Sequence, residues 1–333
     1  MEKDIVAKIE EAGLIGRGGA GYPTAKKWRE IASFESDEKY VICNASEGEI
    51  GLFKDIYILE NHPESVIKGV VLALDYLGSK EAFFNIDRNY FHKVGQRLSD
   101  LTHTYNHHGY NIELYIKEPS YIGGEETALL NAIEGKRTEP REKPPYPSKK
   151  GLFNKPTLIN NVETFYNVAC VDNGTFENKR FYCISGEVRN PGVYHLPANL
   201  NVEDVLKETG NYPDSDFFAQ IGGSASGEVI NREQTKEREV NGAGGLEIYD
   251  SNRNTKDLLL RWLDFYQKES CGKCTPCRMG SYNLYKTVAD SEDVPWDRLF
   301  ELLETTNETS FCALGRSIDI PIRSYYSNVL DGK

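Results

Sequence analysis

Apolar positions fall at alternating strand and helix spacings through the first third of the chain. In KDIVAKIEEAG, Ile5, Val6 and Ile9 share a helical face and Gly13 marks its end. The run 40–43 is a short apolar strand that turns polar at Asn44. PESVIKGVVLALDYLG predicts a helix opened by Pro63 and closed by Gly78. EAFFNID predicts a strand, NYFHKVGQRLSDLT a helix and NIELYIKE a strand, so the alternation predicts a mostly parallel sheet covered by helices. RTEPREKPPYPSKKG, proline-rich and charged, predicts a loop, after which TLINNVETFYNVACV returns to a helical pattern.

From 179 to 245 the pattern changes. RFYCISGEV and GVYHLPAN read as strands joined at RNPG, and NVEDVLKETG as a short helix with Asn201 as its N-cap. DFFAQIGGSASGEVI reads as strand, glycine turn and strand, an order that suggests a compact β-grasp module. Beyond Asp257, TKDLLLRWLDFYQKES, GSYNLYKTVAD and PWDRLFELLETT predict a small helical bundle. The expected domains are 1–175 (α/β), 176–250 (β-grasp) and 251–333 (helical bundle).

Hydrophobic residues make up 39% and charged residues 27%, the balance of a soluble globular protein. A formal net charge of -12 argues against nucleic acid and anionic membranes as partners. No apolar run reaches the roughly 18 residues that span a bilayer. The best, VIKGVVLALDYLG, is broken by Lys68 and Asp75, and the acidic, amphipathic MEKDIVAKIEE is not a secretory signal. The expected location is cytoplasmic, or at a membrane surface through partner subunits, without direct insertion.

Four of the seven cysteines lie in the last quarter, which points to metal ligation in a reducing compartment. Cys43, Cys170 and Cys183 read as small buried hydrophobes. Cys271, Cys274 and Cys277 sit at two-residue gaps, no histidine comes after them, and Cys312 appears later in TSFCALG. Three close thiolates and one remote one fit the four corners of a [4Fe–4S] cluster. A structural zinc site and reduced thiols without metal are the competing readings.

GLIGRGGAGYPTAKKW contains Gly16, Gly18 and Gly21 in a formal G-x-G-x-x-G. The dinucleotide fingerprint needs a strand before the glycines and a helix directly after. Here a helix precedes them and Pro23 is expected to interrupt the segment after them, so the ordinary Rossmann reading is rejected. Bare backbone at Gly16, Gly18, Gly19 and Gly21, with Arg17, Lys26 and Lys27, still suits a flat or phosphorylated ligand, with a mobile loop as the alternative. NASEGEIGLFKD offers Asn44, Ser46, Glu47 and Glu49 at the carboxyl end of a strand. YIGGEETALL brings Tyr121, Gly123 and Gly124 before a helix that opens with Glu125 and Glu126, and LINNVETF brings Asn160 and Asn161. Single carboxylates at helix starts are often only dipole partners, but together these clusters suggest a nucleotide pocket.

GRGGAGYPTAKKW, CNASEGE, FKD, YIGGEETALLNAIEGKRTEPREKPPYP, KPTLINNVET and ESCGKCTPCR…FCALG closely resemble the NADH-binding flavoprotein subunit of respiratory complex I and the related diaphorase subunits of NAD-linked hydrogenases and formate dehydrogenases. The resemblance covers nearly the whole chain. It implies FMN, NAD(H) and one [4Fe–4S] cluster, on a Rossmann-like FMN domain, a ubiquitin-like β-grasp domain and a C-terminal helical bundle. Carried over by motif, Gly16, Gly18 and Lys27 would hold FMN phosphate and ring edges, with Asn44, Gly124, Asn160 and Asn161 completing the flavin site, and Arg17, Ser46 and Tyr121 are further expected cofactor-binding positions. Glu47, Glu49, Glu125 and Glu126 would lie around the flavin and the NADH nicotinamide and ribose. Lys143 and Tyr146 would sit near the adenine or phosphates, and Cys271, Cys274, Cys277 and Cys312 would bind the cluster.

The resemblance further implies hydride transfer centred on the flavin, with no protein residue as covalent catalyst, then single-electron transfer through the cluster to a partner. The expected partners are a thioredoxin-like [2Fe–2S] subunit and further iron–sulfur subunits of a hydrogenase, formate dehydrogenase or complex I-like assembly, since the chain lacks the additional domains of longer relatives. Relatives carry Asp at the position of Ser46, Pro, Thr and Arg at those of Ile50, Leu52 and Ile56, and an aromatic just after the Lys-Trp pair, where this chain has Arg29 and Glu30. These departures motivate a second reading, an FMN and iron–sulfur relay fed by protein partners. A third is a scaffold in which metal only staples the helices.

Overall fold

The first unit is organised around the apolar, buried strand at 40–45. It runs α1 (Ile5–Glu11), α2 (Thr24–Ser33), β1 (Tyr40–Ala45), α3 (Lys54–Asn61), α4 (Pro63–Leu77), β2 (Glu81–Asp87), α5 (Arg88–Asn106), β3 (Asn111–Lys117), α6 (Glu126–Ile133), α7 (Pro147–Lys150), β4 (Thr157–Asn161) and α8 (Val162–Asp172). The strands form one parallel sheet in the order β3-β2-β1-β4. β1 is buried on both faces, as a parallel sheet requires. Tyr40 and Ile42 pack with Leu129 and Leu130 of α6, and α4 and α8 also pack against β1. Pro63 opens α4 and Gly78 closes it at φ 63°, the left-handed conformation that glycine adopts without strain. The structure is a computed structural model that describes residues 4–331; residues 1–3, at the start of the first amphipathic segment, and 332–333 lie outside the described residues.

Three expectations change. TLINN is strand β4 and not helix: its backbone completes the sheet beside β1, from Tyr40↔Thr157 to Asn44↔Asn161, and the helix starts only at Val162. Pro23 does not interrupt a helix but immediately precedes α2, where a missing N–H costs nothing. Within the predicted loop, Pro147–Lys150 forms the short helix α7.

The second unit comprises Glu49–Leu52 and Phe181–Lys333, and the first Met1–Gly48 and Phe53–Arg180. After β5 (Lys179–Gly186), which begins at the boundary, come β6 (Gly192–Pro197), α9 (Val202–Glu208), β7 (Phe217–Gly222), β8 (Glu228–Asn231), β9 (Gly245–Asp250), α10 (Thr255–Glu269), α11 (Thr275–Ala289), α12 (Trp296–Thr309), α13 (Ala313–Arg316) and α14 (Asp319–Tyr325). The sheet order is β6-β5-β9-β7-β8, with β5 and β9 parallel and β7 antiparallel to both its neighbours. Tyr182, Ile184, Ala219, Leu246 and Ile248 from the sheet pack with Val202, Val205 and Leu206 of α9. The Asn201 side chain accepts from the Asp204 amide, so the predicted N-cap forms. α11 packs on α10 and α12, which gives a helical C-terminal region. No helix among the described residues is long and apolar enough to cross a membrane.

Candidate functional site

In the first unit, β1 has its sequential neighbour β2 on one side and β4 on the other, so the crevice at their carboxyl ends is the switch point of the sheet. There Asn85, Asn44 and Asn161 stand in one register across three strands. Asn85 Nδ2 donates to Asn44 Oδ1 at 3.1 Å and to the Gly123 carbonyl at 3.1 Å. Asn44 Nδ2 donates to the Gly124 carbonyl at 2.9 Å. The asparagine row therefore pins the Gly123–Gly124 turn over the strand ends. A Cβ at Gly124 would lie 3.0 Å from the Ser46 carbonyl oxygen, so the turn needs glycine to come this close.

The glycine loop meets the same row. The Gly16 amide donates to the Tyr22 carbonyl at 2.9 Å and Ile15 bridges Pro23, which closes the loop into α2. A Cβ on Gly18 would lie 3.0 Å from Asn161 Cβ, whereas one on Gly19 would meet nothing within 4 Å. The Arg17 amide donates to Thr164 Oγ1 at 2.9 Å, and its guanidinium reaches Asn178 Oδ1 at 3.4 Å and the Lys179 carbonyl at 3.5 Å. Its side chain is thus committed to the protein while its backbone stays in the loop. Lys27 Nζ donates to the Ile159 carbonyl at 3.1 Å; burial draws its pKa down, with Glu126 and Glu30 opposing. Turned to satisfy both ends, the Asn160 amide accepts from Trp28 Nε1 at 3.0 Å and donates to the Ile159 carbonyl at 3.0 Å.

Beneath the row lies a buried charge cluster that sequence patterns alone did not single out. Lys54 Nζ lies 2.5 Å from Asp55 Oδ1, 3.3 Å from Glu163 Oε2 and 3.2 Å from Asn161 Oδ1. Asn161 Nδ2 donates to Asp55 Oδ2 at 2.6 Å, and Asn161 Oδ1 accepts from the Glu163 amide, capping α8. Glu47 accepts from the amides of Lys54 and Asp55 at 3.2 and 2.9 Å and from the Tyr90 hydroxyl at 2.9 Å. Burial, with Asp55 adding to it, pushes the Glu47 carboxyl up to about 8. Ser46 Oγ lies 3.5 Å from Asp87 Oδ1, and Asp87 forms a buried ion pair with Lys117. FKD at a strand-to-helix passage and one asparagine inside the apolar EAFFNID are the sequence signals that point this way.

A cavity of about 340 Å³ lies beside the loop, bounded among others by Tyr22, Lys27, Glu30, Ile31, Glu126 and Tyr146. Glu125 caps α6, accepting from the amides of Thr127 and Ala128, and Lys143 Nζ lies 2.8 Å from both Glu125 Oε1 and Glu126 Oε1. Tyr121 lies under Gly48, whose Cβ would come 2.6 Å from its backbone, and its carbonyl accepts from the Gly124 amide at 2.9 Å. Glu49 belongs to the second unit, where its carboxylate accepts from the amides of Ala225 and Ser226, both at 2.8 Å. These residues fit a flavin mononucleotide: a glycine-lined approach, amide and carboxylate groups at the strand ends, and a buried Asn85 Oδ1 that accepts no hydrogen bond within the described protein.

The second unit holds the thiols, none of them in a disulfide. Cys274 is the N-cap of α11, with Pro276 in its first turn, and Cys312 is the N-cap of α13. Burial pushes the Cys277 thiol up to about 11; Ser270 Oγ, at 3.4 Å, opposes this, and Cys274, Cys312 and Cys271 all add to it. The other three thiols thus lie near enough to Cys277 to act on its charge. A Cβ on Gly315 would lie 3.0 Å from Cys277 Cβ, so glycine lets α13 close on α11. Among the described residues no three His, Cys, Asp or Glu side chains converge tightly enough for one metal ion. A donor set of four thiols and no imidazole fits a four-iron cluster, whose thiolates bind separate irons.

Two family models match the chain: the Nuo51 FMN-binding domain over residues 9–170 and the NADH-ubiquinone oxidoreductase-F iron-sulfur binding region over residues 257–329. The chain is 32% identical to the NADH-quinone oxidoreductase F-type subunit 2 of Rhizobium meliloti, over 96% of its own length and 86% of that protein. It is 32% identical to the NADP-reducing hydrogenase subunit HndC of Solidesulfovibrio fructosivorans, over 96% of its length and 73% of that protein. A chain in the crystal structure of an NAD+-reducing [NiFe]-hydrogenase in the H2-reduced state superposes with a TM-score of 0.88 at 30% identity; the match covers 97% of this chain and 61% of that one.

Proposed function

The chain belongs to the family of the F-type subunits of NADH-quinone oxidoreductases and the diaphorase subunits of NAD-reducing hydrogenases, and from that premise we propose that it exchanges electrons between NAD(H) and a partner subunit of a multisubunit oxidoreductase. When bound, FMN supplies two-electron hydride chemistry and a [4Fe–4S] cluster supplies one-electron transfer. The protein's part is binding, orientation and electrostatics. The observation that carries this reading is the convergence of Gly18 and Gly124 on Asn161 and Asn44 at the switch point.

In this reading Asn44 and Asn161 fix the strand ends against which the flavin is held. Gly16, Gly18 and Gly124 let backbone approach it, while Arg17 anchors the loop from behind. Lys27 places an ammonium at the wall, and Ser46 and Tyr121 brace the Gly123–Gly124 turn. Glu47 reaches the site as a carboxyl that keeps its proton near neutral pH. Tyr146 gives a base a flat exposed ring, and Lys143 holds Glu125 and Glu126 in place. Cys271, Cys274, Cys277 and Cys312 bind the cluster. For the second unit the proposal divides 176–250 from 251–333. The order β6-β5-β9-β7-β8, with α9 between β6 and β7, supports a β-grasp sheet ahead of a helical bundle. The partner proposed is a thioredoxin-like [2Fe–2S] subunit, with further iron–sulfur subunits behind it, and the place of action is the cytoplasm.

The test is dye reduction by the full chain reconstituted with FMN, iron and sulfide. NADH-dependent turnover supports the proposal. Flavin that is reduced by a reduced ferredoxin-type protein but by neither NADH nor NADPH would replace it with the relay reading.

A further inference from the structure

Ser270, the C-cap of α10, directly precedes Cys271, and its Oγ lies 3.4 Å from Cys277 Sγ. The same oxygen accepts from the Gly272 amide at 3.4 Å. That amide takes a lone pair and leaves the hydroxyl proton free, and among the described residues Cys277 Sγ is the partner within its reach. The direction of this bond depends on the sulfur. A thiol can donate to the Ser270 oxygen, whereas a thiolate bound to iron has no proton and can only accept. Ligation therefore makes Ser270 the donor. A second hydroxyl borders the same thiol. Ser310, two residues before Cys312, is 2% exposed, and its Oγ is buried with no hydrogen-bond partner among the described residues. A Cβ added to Gly315 would collide with Ser310 Oγ and lie 3.0 Å from Cys277 Cβ. The bare Gly315 backbone thus lets the hydroxyl and the thiol side chain flank one point.

Burying a hydroxyl with nothing to bond is costly, and the cost disappears where it can donate to an acceptor. The acceptors that a four-iron cluster brings are its thiolate and sulfide sulfurs. Resting on the cluster reading above, we propose that Ser270 and Ser310 donate hydrogen bonds to the sulfurs at the Cys277 corner and thereby raise the reduction potential of the cluster. Reduction adds one electron there and moves no proton, so each O–H stays on its own oxygen. A donor stabilises the reduced, more negative state more than the oxidised one. The two serines therefore make the cluster a readier acceptor of single electrons without taking part in the transfer of hydride.

The experiment is a redox titration of the FMN- and cluster-loaded full chain, poised with dithionite and mediators and followed by electron paramagnetic resonance, which reads the cluster without dinucleotide turnover. Ser270→Ala and Ser310→Ala are each expected to shift the reduction equilibrium about tenfold toward the oxidised form, a fall in midpoint potential of about 59 mV for one electron. Iron and sulfide content should stay at the wild-type level. Ser270→Thr and Ser310→Thr keep the hydroxyl and should stay near the wild-type potential, a sorting that a merely structural role would not produce. A potential that either alanine variant leaves unmoved, or a threonine variant displaced as far as its alanine counterpart, overturns the proposal. So does an alanine variant that takes up no iron, since the hydroxyl would then build the site and not tune it. A wild-type chain that yields no iron–sulfur signal after reconstitution overturns the cluster reading itself.

Discussion

Lys54→Met removes the ammonium that Asp55 and Glu163 share beneath the flavin crevice. The Lys54 and Asp55 side chains are 1% and 3% exposed and that of Glu163 is 0% exposed, so water cannot replace the lost partner. Burial opposes the charge on Lys54, but Asp55, Glu163 and Glu47 outweigh it and hold the ammonium above its ordinary pKa. Breaking a buried pair from one side costs about 3–5 kcal/mol. Two carboxylates lose their cation here, which puts the expected loss near the top of that range. For a unit of this size, about 2–4 °C per kcal/mol gives a fall in Tm of about 10–20 °C. The assay is calorimetric melting of the full chain at pH 7.5 and pH 5. Burial already raises the Asp55 pKa, and without Lys54 it rises further. A raised folded-state pKa favours the folded state at low pH and loses that effect as pH rises through it, so the deficit should be smaller at pH 5. Lys54→Met with Asp55→Asn should recover roughly half of the loss. A single variant within about 1 kcal/mol of wild type at pH 7.5, or a double variant no more stable than the single, refutes the reasoning.

Glu47, protonated in the folded state up to about 8 by burial next to Asp55, makes stability fall as pH rises from the ordinary carboxylate range to that value. Glu47→Gln should flatten the slope of urea midpoint against pH between 5 and 8, by at most about 1.4 kcal/mol per pH unit. Gly124→Ala sets a Cβ 3.0 Å from the Ser46 carbonyl oxygen and should weaken FMN binding roughly tenfold in a fluorescence titration, with the melting curve little changed. Cys312→Ser should lower iron and sulfide content while FMN stoichiometry holds, and simultaneous loss of both would sink the assignment of the two groups to separate units.

Punctuation was legible at several positions where one residue decides the backbone, though not at Pro23, which opens α2 instead of interrupting a helix. Pro63 and Gly78 bound α4, and Asn201 caps α9, each for a local reason. β4 was not legible, because TLINN runs without a break into VETF; its pairing with β1, a tertiary fact, makes it a strand. β9 was missed for a similar reason: Gly245–Asp250 gains its place from β5 and β7, far away in the chain. The glycine and asparagine members of the crevice could be named from sequence, but not the row that joins them, since Asn85 enters through register. Lys54, Glu163 and Tyr90 likewise acquire meaning only when folding brings Asp55, Asn161 and Glu47 to them.

The most direct measurement is an anaerobic titration of the FMN- and cluster-loaded chain with NADH, monitored by visible absorbance. The account predicts that about one equivalent of NADH bleaches the flavin band, with NADPH run as the comparison dinucleotide. A chain that holds both groups in full and whose flavin band neither dinucleotide changes would contradict it.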